Sequence, residues 1–170
     1  RCHGTAPKVF QNDAMRFGSE QEEFARRAYE AATGNLVEEV GFFKTPDGIF
    51  GLSPDGLIDD DGVLEIKTMV GSDTLFTAMT GGEDCEGDLS AYIDQVNGYL
   101  WLLGRQWVDV VLWAPDMEEL GLKMVIKRVT RDEEAIQSLQ DDLMAFAATV
   151  RIYESKLRKA AIKNQQEETA

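Results

Sequence analysis

A chain of 170 residues, 44% apolar and 28% charged, is long enough for one soluble domain with its own core, and no apolar run is long enough to cross a membrane. Lys and Arg number 17 against 31 Asp and Glu, and the resulting net charge of −14 opposes a protein that holds nucleic acid by surface charge alone. Two distant cysteines, Cys2 and Cys85, match no metal spacing, which excludes a four-cysteine iron–sulfur centre and points to a reduced, cytoplasmic protein.

Residues 1–12 have no clear period and read as irregular. From Asp13 to Thr33 the spacing predicts a helix, closed by Gly34 and carrying an apolar face of Phe24, Ala25, Ala28, Ala31 and Ala32. Glu22 lies on the margin of that face, in line with Ala25, Arg26 and Tyr29, where a surface pair with Arg26 at i+4 is the ordinary expectation. Strands follow over Leu36–Phe43 and Ile49–Leu52, separated by the turn Thr45-Pro46-Asp47-Gly48, and are expected to form an antiparallel meander with the next hairpin.

That hairpin, Ser53-Pro54-Asp55-Gly56-Leu57-Ile58-Asp59-Asp60-Asp61-Gly62-Val63-Leu64-Glu65-Ile66-Lys67-Thr68, is where the chemistry concentrates. A loop Asp60-Asp61-Gly62, with Gly62 at positive φ, pairs Asp59 with Val63, Leu57 with Glu65 and Asp55 with Lys67. Alternation then places Asp55, Glu65 and Lys67 on one face, whereas a two-residue loop would scatter them. Two carboxylates on a rigid sheet are hard oxygen ligands for Mg²⁺, and a nearby ammonium can orient water, take its proton or offset phosphate charge. An exposed turn beside a surface Glu–Lys pair accounts for the same residues without chemistry.

The stretch from Val70 to Asp88 is interrupted by Gly71, Gly81, Gly82 and Gly87, with a helical turn around Leu75 to Met79, and reads either as a lid or as a solvated loop. Ser90 is expected to cap a helix reaching Leu103, on which Tyr92, Gln95, Val96, Tyr99 and Leu103 share a side, making Gln95 a polar group on an apolar face. Trp107–Trp113 reads as a buried strand and Leu122–Val129 as a second one after a Pro115-Asp116 turn. Thr130-x-x-Glu133 predicts a capping box opening a long helix with Ile136, Leu139, Leu143, Phe146, Val150, Tyr153 and Leu157 at helical spacing. Its basic end (Arg151, Lys156, Arg158, Lys159, Lys163) complements the helix dipole or marks a contact surface, and residues 164–170 read as a frayed tail.

Pro-Asp, ten residues, then Glu-Ile-Lys is similar to the PD-(D/E)xK nuclease signature. The fuller Ser-Pro-Asp-Gly-Leu…Leu-Glu-Ile-Lys closely resembles the lambda exonuclease (YqaJ-type) family of phage recombination nucleases. Met15-Arg16-Phe17-Gly18…Glu22…Ala25-Arg26 resembles that family's first acidic helix, and Ala91-Tyr92-Ile93-Asp94-Gln95-Val96 its downstream Gln helix, in the same order. The resemblance implies a restriction-endonuclease-like α/β core, a mixed central sheet flanked by helices, in one domain over residues 1–170. It implies Mg²⁺-dependent digestion of the 5′ strand of linear double-stranded DNA, with Mn²⁺ able to substitute, leaving 3′ tails for recombination. Asp55, Glu65 and the Ile66 carbonyl would hold metal, with Glu22 as a third acidic group. Lys67 would activate water, and Gln95 would position the water or the lysine. The implied partners are DNA ends, further copies of the chain in a ring-shaped homotrimer, and a single-strand annealing protein. The family's N-terminal segment, which binds the 5′-phosphate, has no counterpart in this sequence. An endonuclease of the same core and a silent DNA-binding subunit are the alternatives.

Overall fold

The computed structural model describes residues 13–69 and 88–168. The expectations for residues 1–12, for the segment 70–87 with its helical turn, and for Cys2 and Cys85 lie outside the described residues. Helix α1 (Asp13–Thr33) is followed by β1 (Val37–Glu38), β2 (Phe43–Lys44), β3 (Gly51–Leu52), β4 (Gly56–Ile58) and β5 (Gly62–Thr68). A 3₁₀ turn (Ser90–Tyr92) leads into α2 (Ile93–Leu103), then β6 (Trp107–Trp113), a second 3₁₀ turn (Pro115–Leu120), β7 (Met124–Thr130) and α3 (Glu133–Glu168).

Five strands form a mixed sheet in the order β1-β4-β5-β6-β7, with β5 and β6 parallel and the other pairs antiparallel. Strands β5 and β6 are largely apolar and buried because both sheet faces are covered, with Glu65, Lys67 and Thr68 in β5 and Asp109 in β6 as the polar exceptions. On one face Val63, Val108, Val110 and Leu112 pack against Val96, Tyr99 and Leu100 of α2 and Ile136 of α3. On the other, Ile58, Leu64, Ile66, Val111 and Trp113 pack against Ala25 and Tyr29 of α1. The result is the expected mixed sheet between helices. Among the described residues no helix is long and apolar enough to cross a membrane.

Several local expectations change. Strands β2 and β3 leave the main sheet and pair only with each other across the Thr45–Gly48 turn, so the meander is split. That turn closes as its chemistry suggests, with Gly48 at φ +71° and its N–H on the Thr45 carbonyl. The buried side of α1 is the line Ala25–Tyr29, while Phe24, Ala31 and Ala32 are exposed: tertiary packing selects the line on which Glu22 sits. Asp132, not Thr130, caps α3, its Oδ1 accepting from the Glu134 and Ala135 amides. Ser90 makes no cap, since α2 begins after a 3₁₀ turn and Asp88 Oδ1 accepts from the Ser90 amide. Only the first part of the α3 stripe packs; Ile136 is buried, whereas Phe146, Val150, Tyr153 and Leu157 are exposed. Backbone helix continues through Asn164 to Glu168, where the sequence suggested a tail.

The hairpin register also shifts. Ile58 pairs with Gly62 and Leu57 with Val63, so the turn is Asp59-Asp60-Asp61 and Asp55 comes level with Glu65 rather than Lys67. Positive φ falls on Asp59 (44°), a residue type that tolerates it, and not on Gly62. Gly62 is needed for space: a Cβ there would lie 2.3 Å from the Trp107 indole. That indole is in turn stacked under Arg128, 3.7 Å from its ring centroid. Gly62→Ala should therefore cost about 1–3 kcal/mol, the usual penalty of overpacking. A urea melt unchanged within about 0.5 kcal/mol would show that the indole moves aside freely.

One interaction inside the sheet has no counterpart in the sequence reading. Asp109, 1% exposed in the middle of β6, accepts from Arg128 Nε at 2.7 Å and Nη2 at 2.8 Å, and from the Tyr29 hydroxyl at 2.6 Å. Asn35 Nδ2 donates to the same hydroxyl at 2.9 Å. Burial first, then the hydrogen bond to Asp109, pushes the Tyr29 hydroxyl up to about 12. The Tyr29–Asp109 bond ties α1 to the sheet face opposite α2.

Candidate active site

The ladder between β4 and β5 ends at Gly56, and Asp55 turns across the edge so that its Oδ2 accepts from the Ile66 amide at 2.6 Å. Strand β5 continues past this point, supported by its parallel neighbour β6 up to the Thr68–Trp113 pair. Glu65 and Lys67 alternate onto the sheet face beneath α2, the face also shared by Val63 and Leu112. The two-residue register shift leaves this arrangement intact, because an even shift preserves the faces.

Lys67 Nζ lies 2.6 Å from Glu65 Oε1 and donates to Gln95 Oε1 at 2.8 Å. The Tyr92 ring completes its surroundings, with the centroid 4.8 Å from Nζ. Gln95 Nε2 donates both to Glu65 Oε1 at 2.9 Å and to the Tyr99 hydroxyl at 2.6 Å. The Tyr99 hydroxyl donates to Glu65 Oε2 at 2.6 Å, with the Ser53 carbonyl a further 3.3 Å contact. Glu65, although nearly buried, thus has a donor on each oxygen. Gln95 itself is exposed at the start of α2 rather than a core amide, and only its head reaches into the cluster.

Glu22 lines the same cavity as Asp55, Ile66, Lys67 and Tyr92. Its Oε1 accepts from Arg26 Nη2 at 2.9 Å, so the ordinary i+4 pair does form. Arg26 also bridges to Glu39, which anchors the guanidinium away from the cavity. Glu22 is therefore at once a partner of Arg26 and a charge facing the hairpin. Asp55 feels that charge: burial, then Glu65, raise its carboxyl to about 7, with Glu22 adding a smaller push against the Ile66 amide and Lys67.

This donor set suits a hard divalent cation. The Glu65 charge disfavours ionisation of the Asp55 carboxyl, a repulsion that a cation between them relieves. Among the described residues no three His, Cys, Asp or Glu side chains converge into a ready cage. Glu22 is turned to Arg26 and Glu65 to Lys67, Gln95 and Tyr99, leaving a site of few protein ligands, as Mg²⁺ accepts.

The sequence reading named Asp55, Glu65, Ile66, Lys67, Gln95 and Glu22, and the fold gathers all six around one edge of the hairpin. It overlooked the hydroxyl of Tyr99 and the ring of Tyr92, both taken as part of an apolar helix side. The available signal was the i, i+4 spacing of Gln95 and Tyr99, which stacks two polar heads on one helix face.

A family model described as the YqaJ-like viral recombinase domain matches residues 3–106, a range that holds all six of these residues. No curated protein matches. Among solved structures, an alkaline exonuclease (LHK-Exo) from Laribacter hongkongensis is 33% identical over 91% of this chain and 77% of its own, with a TM-score of 0.79. The same exonuclease in complex with dAMP, again 33% identical, covers 91% and 76% with a TM-score of 0.80. A phage related exonuclease from Haemophilus somnus 129PT, 15% identical over 88% of this chain and 76% of its own, has a TM-score of 0.66, a likeness of fold alone.

Proposed function

The chain belongs to the YqaJ-like viral recombinase domain family, and from that premise we propose that it is a metal-dependent DNA exonuclease working at the Asp55–Glu65–Lys67 cluster. The observation that carries the reading is the placement of Lys67 Nζ 2.6 Å from Glu65, beside an Asp55 carboxyl raised to about 7 by burial and like charge. A carboxyl crowded by burial and like charge next to a positioned ammonium is what a phosphodiester hydrolase needs and what a passive surface pair lacks.

Asp55, Glu65 and the Ile66 carbonyl hold the cation in this reading, Mg²⁺ by preference and Mn²⁺ as a substitute, with Glu22 contributing charge from α1. When bound, the metal lowers the pKa of its water and offsets charge building on the phosphate. Lys67 orients the attacking water and, in its neutral amine form, accepts the water's proton, Gln95 keeps Lys67 in place, and Tyr92 walls off one side of Nζ.

The substrate is linear duplex DNA, digested along the 5′ strand to leave a 3′ tail for recombination. With a net charge of −14, tight capture by a local basic surface is unfavourable. Enclosure of the duplex by a homotrimeric ring supplies retention instead, and a single-strand annealing protein takes up the tail. The experiment is digestion of linear, circular and 5′-dephosphorylated duplex with Mg²⁺ and then with chelator, alongside a solution mass. Loss of linear DNA from its 5′ ends, sparing of circles and arrest by chelator are expected. Cleavage of circles identifies an endonuclease, and binding without turnover identifies a silent subunit; either outcome displaces the exonuclease.

Lys67→Arg separates chemistry from a surface ion pair. Arginine keeps the charge but stays protonated and spreads its donors over a plane that does not fit between Glu65 and Gln95. Single-turnover cleavage should fall at least roughly tenfold, the low end for loss of a proton-transfer group. A surface pair worth under about 1 kcal/mol would leave the rate nearly unchanged, and that result would remove Lys67 from the mechanism.

A further inference from the structure

The hydroxyl of Tyr99 has one proton, for which Glu65 Oε2 at 2.6 Å and the Ser53 carbonyl at 3.3 Å are the acceptors, and it accepts in turn from Gln95 Nε2. Its ring lies in the core, 2% exposed, so the hydroxyl has no ready access to bulk water. That proton goes to Glu65 Oε2 at 2.6 Å. The oxygen's lone pair then accepts one N–H of Gln95, also at 2.6 Å, while the other N–H of the same amide goes to Glu65 Oε1.

Both hydrogens of the Gln95 amide are committed, and its oxygen can point only outward, where it receives Lys67 Nζ at 2.8 Å. The result is a closed ring of Glu65, Gln95 and Tyr99 with Lys67 attached at two points. We propose that Tyr99 is a positioning residue: its hydroxyl fixes the Glu65 carboxylate through Oε2 and anchors Gln95, and together these hold Lys67 at Glu65 Oε1. Without the hydroxyl, Oε2 becomes a nearly buried carboxylate oxygen lacking a donor. The released Gln95 N–H and the Lys67 ammonium are the nearest donors, and either one turns the carboxylate and loosens the lysine.

This role presupposes the DNA hydrolysis proposed above, but it has a consequence that needs no turnover. Lys67 bonded at two points should show a lysine ε-ammonium NMR resonance that exchanges slowly with water in metal-free protein, identified by its disappearance in Lys67→Met. In Tyr99→Phe that exchange should become severalfold faster, while the Ile66 amide, bonded to Asp55 and outside the ring, should not change. In single-turnover digestion of linear duplex with Mg²⁺, Tyr99→Phe should lower the maximal rate roughly tenfold or more and leave half-saturating DNA within about twofold, because geometry rather than binding is lost.

Gln95→Ala, at an exposed helix position that leaves the core intact, should show the same two effects. The double variant should be little slower than either single one, since both act through Lys67. Phe fills the same core space, so a purely structural tyrosine would leave rate and exchange alike near the parent values, and that result would overturn the role. Rate losses that multiply in the double variant would overturn it too. If the parent protein cleaves no DNA, the hydrolytic reading falls, and the ammonium exchange alone decides whether Tyr99 holds Lys67.

Discussion

Asp55→Asn should cleave no detectable DNA and yet be harder to unfold than the parent at pH 8. If Asp55 holds the metal as proposed, losing its carboxylate removes several kcal/mol of charge stabilisation at the phosphate, a drop of roughly a thousandfold or more. The stability gain has a separate origin. Asn keeps an oxygen for the Ile66 amide, while the buried charge beside Glu65 and Glu22 disappears. In the parent the folded carboxyl titrates at about 7 against an ordinary 3.8, so the folded state binds the proton more tightly than the unfolded chain.

Stability conferred by that proton is fully present below about pH 4 and is lost as pH rises through about 7. The variant has no such loss. Urea melts in chelator should therefore nearly coincide at pH 4 and separate steadily toward pH 8, by on the order of 1 to 4 kcal/mol. Parallel curves, or a parent that gains on the variant as pH rises, would mean that Asp55 is not the crowded carboxylate described above. Saturating Mg²⁺ should narrow the gap at pH 8 if Asp55 is a metal ligand as proposed, because the parent alone would then keep the full ligand set.

Arg128→Met should produce the largest loss of stability. The substitution leaves the Asp109 carboxylate sealed inside β6 with the Tyr29 hydroxyl and no cation. Removing one member of a buried pair typically costs about 3–5 kcal/mol, because the remaining charge is neither hydrated nor compensated. Arg128 also loses its stack on Trp107, although Met retains some of that cover.

Asp109→Asn should be milder, since Arg128, with 49% of its side chain exposed, can fall back on solvent. Measuring both by denaturant unfolding tests the asymmetry. If Asp109→Asn is the worse of the two, the desolvated group is not Asp109 and the account of this pair is wrong.

What the sequence determines by itself is local or periodic. Helix α1 from Asp13 to Thr33 with Gly34 behind it, the turn ending at Gly48 and the buried β6 strand all follow from propensities acting within a few residues. The gathering of Asp55, Glu65 and Lys67 also belongs here. It survives a mistaken register because strand faces depend only on parity, and an error of two residues changes the partner without changing the side.

Other features depend on contacts that no local rule contains. Gly62 is glycine because Trp107, forty-five positions later, lies over it, and the positive φ moves to Asp59. Tyr99 becomes a donor to Glu65, and Asp109 a buried anion with two partners, only once β5 and β6 run parallel with α1 and α2 on opposite faces. Which side of α1 turns inward was likewise settled by that sheet: Tyr29 found Asp109, while Ala31, Ala32 and Phe24 were left to solvent. Hydrophobic burial is non-directional and leaves such choices open, whereas a buried hydrogen bond must find its partner, and the folded chain decides where that partner stands.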